Sequence, residues 1–163
     1  MVDLARSIRE RMRMMYWERN RFIMEKLKIY SAYLPYGLKL KYFDDEREIL
    51  HNDCKIVEFR EDEMTIANNE YQYDVKFDDV KPIMFSLEDL TKEIAVNGKI
   101  FVPIEYHAFK HNKEHLIDFQ NNFAHYKSVK YGIIEKLLEW KFNVFNLPED
   151  KYEKVTEDFN PYK

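Results

Sequence analysis

The chain has 163 residues, 45% of them apolar and 16% aromatic, with only 3 Gly and 5 Pro; this is enough for one folded core and excludes a low-complexity chain. The net charge of −4 joins two unlike parts: residues 1–28 carry eight Arg or Lys against four acids (+4), which leaves −8 for the rest. One cysteine, Cys54, excludes an intramolecular disulfide and a Cys-based zinc site. Neither a signal-peptide core nor a run of 18 apolar residues is present, so secretion and membrane spanning are not expected and a cytoplasmic setting is.

Residues 3–33 read as one long amphipathic helix, with Leu4, Ile8, Met12, Met15, Ile23, Leu27, Tyr30 and Leu34 keeping mostly to one face of a 3.6-residue period. Asp3 is the expected cap, and Pro35 biases Leu34 out of helical geometry. Residues 38–43, 55–59 and 71–77 alternate apolar and polar, with polar clusters between them, and read as strands of an antiparallel meander. Residues 63–67 are a shorter candidate. Residues 80–85 make a last strand in which Pro82, having no amide hydrogen, marks an edge or a strand start.

At Ser86 the pattern turns into a short helix. Ser86 can cap it while Asp89 reaches back, a variant of the capping box. Asn97-Gly98 between two apolar runs then predicts a hairpin with a type I′ turn. A polar helix is expected from after Pro103 to about Tyr126, with Phe109, Leu116, Phe119 and Phe123 inward. A last helix over residues 129–145 carries Ile133, Ile134, Leu137, Leu138, Lys141 and Phe145, and residues 149–163 read as a charged, loosely held tail. The fold class expected is α+β, divided as the basic helix (1–34), an α+β domain (35–147) and the tail (148–163).

Chemistry is sparse. His107, His111 and His115 recur at intervals of four and would stack on one helix face, where two imidazoles can chelate a transition metal. HExxH is absent and no partner ligand is identifiable, so a solvated histidine stripe is preferred and no metal site is assigned. Acid clusters at 44–46 and 61–63 lack EF-hand spacing and read as solvated turns. P-loop, GxGxxG and GxSxG motifs are absent, which gives no cofactor and no catalytic residue.

The basic helix is the candidate binding element. Arg6, Arg9, Arg13 and Arg21 with Tyr16 and Trp17 suit an acidic partner protein, or phosphates and stacked bases. Met12, Met15, Ile23 and Leu27 suit the core or a second copy. Residues 44–79, with 13 acids and four bases, carry −9 and repel nucleic acid.

The blocks YLPYGLKLKY, VKPIMFSLEDLTKEI, NGKIFVPIEY and IIEKLLEWKFNVFNL resemble, in order and spacing, a group of uncharacterised phage and prophage proteins of Bacteroidetes, over residues 33–147. The resemblance implies a phage-encoded accessory protein of the host cytoplasm, or of the virion. Its implied action is to bind a host or phage protein without catalysis, as an antagonist of a host enzyme or defence system or as an assembly component. The helix before Tyr33 reads as an extension beyond the shared pattern, and self-association through it is a further expectation. Nucleic-acid binding by that helix and a metal-dependent role for the histidines are the rivals.

Overall fold

The computed structural model describes the backbone of residues 2–122 and 129–163 and the side chains of residues 10–122 and 129–163. In chain order these form α1 (Val2–Tyr33), β1 (Lys39–Phe43), β2 (Ile49–Phe59), β3 (Glu63–Ala67), β4 (Gln72–Lys76), β5 (Val80–Met84), β6 (Ile94–Val96), β7 (Lys99–Phe101), α2 (Lys113–Asn121), α3 (Tyr131–Glu139) and β8 (Glu153–Lys154), with short 3₁₀ turns between. The class is α+β, as the alternation and helical periods predict.

Among the described residues six strands form one sheet in the order β4-β3-β2-β1-β5-β8, and β6-β7 form a separate hairpin. All pairs in the larger sheet are antiparallel except β5 with β8. Only residues 77–79 link β4 to β5, which lie four places apart in the sheet. A flat sheet would separate them by about 19 Å, whereas the link reaches about 14 Å at full extension. The sheet therefore curls. Rings from β1 and β4, Tyr42 and Tyr73, meet at 5.5 Å across the intervening strands, and His51 lies against both.

Local signals translate directly where a few neighbouring residues decide the outcome. Asn97 and Gly98 have φ of 51° and 73°, the paired positive values of a type I′ turn. Ser86 Oγ accepts from Glu88 N at 3.3 Å, and Ser86 N donates to Asp89 Oδ2 at 3.2 Å, closing the capping box over a 3₁₀ helix, Leu87–Thr91. Pro35 ends α1 at Tyr33. Asp3, the expected cap, lies inside the first helical turn, since the helix already includes Val2.

Other elements differ from the sequence pattern for tertiary reasons. β2 starts six residues before Lys55, because residues 49–54 pair with β1 through irregular register between Leu40, Tyr42 and Phe43 that breaks strict alternation. The expected polar helix starts only at Lys113. Upstream, Tyr106 adopts an extended ψ of 131°, and its ring and that of Phe109 turn onto Trp140 at 5.1 and 5.5 Å. Phe123 and Tyr126 lie outside the described residues.

The last helix stops at Glu139 rather than continuing to Phe145. Lys141 takes a left-handed φ of 62°, its N–H bonds Leu138 O and that of Phe142 bonds Leu137 O, each at 2.9 Å. This is a Schellman ending with lysine where glycine is usual. The freed strand lies beside β5, with Phe85 N donating to Lys141 O and Asn143 N to Phe85 O.

Residues 149–163 are not a loose tail. β8 pairs with Ile83 and Met84, just past Pro82, so β5 is an inner strand and its proline sits where the β8 ladder has not yet begun. Lys41 Nζ meets Glu153 Oε1 at 2.8 Å. The hydroxyl of Tyr162 donates to Ile83 O at 2.6 Å and accepts from Lys39 N at 3.0 Å, while its carbonyl accepts from Asn97 N at 2.7 Å. One tyrosine thus joins β1, β5 and the hairpin turn.

Candidate functional site

The C-terminal third of α1 is rooted in the core: Tyr30 and Tyr33 are fully buried, and Phe22, Ile23, Leu27 and Ile29 pack partly buried against the same cluster. Tyr30 stacks on Phe77 at 6.1 Å, and the Tyr33 hydroxyl donates to Phe142 O. Stepping back by threes and fours, the same stripe runs through Lys26, Ile23, Arg19, Met15 and Met12. The body ends before the stripe does. Arg19 Nη2 bonds Asp62 Oδ2 at 2.7 Å in an exposed ion pair, and every residue from 10 to 19 is exposed.

Met12 and Met15, expected in the core or against a second copy, are therefore not core residues. With Met14, Tyr16 and Trp17 they are between 64% and 68% exposed. At about 100° per residue these five side chains spread around the whole helix. Large apolar side chains set all round a helix are ordinarily covered. Here nothing in the described body encloses it.

Arg13, Trp17 and Arg21 recur at intervals of four and share one face, with Tyr16 about 100° away. Arg13, Tyr16, Trp17 and Arg21 are all exposed, and Arg21 Nε reaches Glu25 Oε1 at 3.3 Å. Arg6 and Arg9 fall within the helical backbone, and their side chains lie outside the described part. Trp17, Met14 and Arg13 line a shallow open groove with Glu10 and Glu18, so acids interleave with the bases.

The three histidines do not share a helix face. His107 belongs to a 3₁₀ turn, His111 to the following turn, and only His115 to α2. Among the described residues no group of three or more His, Cys, Asp or Glu is placed to hold a metal ion. Cys54 is buried, and burial, with Asp53 adding and Lys39 opposing, pushes its thiol up to about 11, which disfavours the thiolate a nucleophile needs.

Two features carry no local sequence signal. His51 lies within hydrogen-bond reach of Asn68 and Tyr73, its Nδ1 3.3 Å from Asn68 Nδ2 and its Nε2 2.9 Å from the Tyr73 hydroxyl. Around Trp140, the rings of Phe101, Tyr106 and Phe109 gather within 4.8 to 5.5 Å. The Lys136 ammonium, paired with Glu139 at 2.7 Å, already sits over two of these rings.

Comparison with family models, with curated proteins and with solved structures returns no match for this chain. Fold and site together define an α+β protein that carries one helix beyond its own body. No helix of the described residues is long and apolar enough to cross a membrane.

Proposed function

We propose that this is a phage-encoded, non-enzymatic accessory protein that acts by inserting the projecting part of α1 into a partner protein. The observation that carries the reading is the exposure of Met12, Met14, Met15, Tyr16 and Trp17 around the full circumference of one helical segment. Such a segment is matched by a groove or bundle that closes on it from several sides, and methionines adapt to an irregular one. The charge of +4 over residues 1–28 selects an acidic rim on that partner. The phage context rests on the resemblance of the four blocks noted above.

The test is a photo-cross-linking amino acid placed at Trp17 and, in a control, at Tyr131, which is 80% exposed on the body. The expected result in infected cells is one dominant protein adduct from position 17 that position 131 does not give. No adduct from position 17, or the same adducts from both, would refute the proposal.

A further inference from the structure

Beside the link from β4 to β5, residues from five parts of the chain surround an open cleft of about 380 Å³: Lys26 of α1, Phe43 of β1, Arg47 of the next turn, Asp78 and Lys81 around the start of β5, and Asp150 with Lys151 near the chain's end. The volume is within the range of small-ligand sites. Four cations against two carboxylates leave +2. Residues 29–163, which supply all of its lining but Lys26, carry −8 in total, so the cleft is a local reversal of sign.

The cations differ in how they are held. Arg47 is fixed by a left-handed φ of 64° and donates from Nη1 to Asp78 O at 2.7 Å. Lys151 pairs with Asp150 at 3.3 Å. Lys26 and Lys81, by contrast, make no ion pair among the described residues. The Lys26 ammonium lies over the rings of Phe22 and Tyr30 at 5.4 and 6.0 Å, and that of Lys81 over Phe43 at 5.7 Å. Burial is the largest influence on Lys26 and lowers its basicity; Asp78 and Asp150 oppose that, while Lys151 and Lys81 reinforce it. An arriving anion would offset that desolvation.

We propose that this cleft binds a small phosphate monoester, its phosphate held between Lys26 and Lys81 with Arg47 alongside. A phosphate dianion matches the residual charge. Asp78 and Asp150 supply acceptors for hydroxyl groups on the ester, and Phe43 an apolar wall, which points to a nucleotide or sugar phosphate. The site stands independently of the projecting helix.

Calorimetric titration of the full chain with adenosine monophosphate, inorganic phosphate and sulfate, at fixed ionic strength, tests it. The expected result is one site for adenosine monophosphate, weaker binding of inorganic phosphate, and at least tenfold weakening in Lys81→Gln and in Lys26→Gln. Lys26 and Lys81 are both half-buried and lie on separate elements, α1 and β5, so either variant that folds keeps the test valid. No heat at 10-millimolar order ligand, equal binding of sulfate and phosphate, or unchanged affinity in Lys81→Gln would overturn the proposal.

Discussion

Tyr30 and Tyr33 offer a matched pair: same residue type, same helix, one turn apart, both with no exposed surface. The Tyr33 hydroxyl donates to Phe142 O and also lies 3.4 Å from Val144 N. The Tyr30 hydroxyl has no hydrogen-bond partner among the described residues. Burial raises the pKa of both phenols, so both are neutral at ordinary pH. Tyr33→Phe removes a buried hydrogen bond, a loss of about 1 to 1.5 kcal/mol. The loss stays at that level because Phe142 O keeps a second donor, Val144 N, at 2.8 Å. Tyr30→Phe removes a buried hydroxyl whose desolvation nothing offsets, a gain of about 1 kcal/mol. The two variants should thus differ by about 2 kcal/mol. With a urea m-value of about 2 kcal/mol/M for a chain of this size, their midpoints should lie about 1 M apart, Tyr30→Phe the higher. Equal midpoints, or Tyr30→Phe the less stable, would refute the assignment of the two hydroxyls.

Gly98→Ala should cost about 1 kcal/mol in thermal or urea unfolding through backbone alone, since φ is 73° and nothing lies within 4 Å of an added Cβ. Gly132→Ala, in α3 with equal space and no positive φ, should instead stabilise by about 0.5 kcal/mol. Replacing Met12, Met15 and Trp17 each by Ser should leave unfolding within about 0.5 kcal/mol per site of the parent while abolishing the position-specific partner adduct; a large loss of stability would place them in the core after all. Stability should fall as pH rises above about 9. The native Cys54 thiol, pushed up to about 11 from 9.0, keeps a proton that the unfolded thiol gives up, and buried Tyr30, Tyr33 and Tyr162 act with the same sign above 10. Urea unfolding at pH 7, 9 and 10.5 measures the fall, Cys54→Ala should make it shallower, and a flat profile would contradict the burial of these groups.

What the sequence discloses is what neighbouring residues decide. Asn97-Gly98 and the Ser86–Asp89 box depend on φ preferences and on side chains two or three positions apart, and both form. The long helix is likewise legible, but its period marks which face is apolar and cannot tell where the body ends, so Met12 and Met15 read as core or as contacts with a second copy. The role of residues 153–154 depends on pairing with β5 some 70 residues earlier, which no local pattern encodes. The histidine spacing is helical only on paper, because packing of Tyr106 and Phe109 on Trp140 unwinds the segment that would align it. The cleft is assembled from residues 26, 43, 47, 78, 81, 150 and 151, none close to forming a motif.

Because α1 is continuous from its exposed segment to the buried pair Tyr30 and Tyr33, a protein that grips Met12 to Trp17 holds a handle whose other end is set in the core. Enclosure of the outer turns suppresses fraying toward that root, and any partner that recognises only the helical form stabilises the whole fold in proportion to its occupancy. The same lever works in reverse: a partner that unwinds or pulls the outer turns loads the tyrosine anchor first, so the body would register capture at a distance of several helical turns.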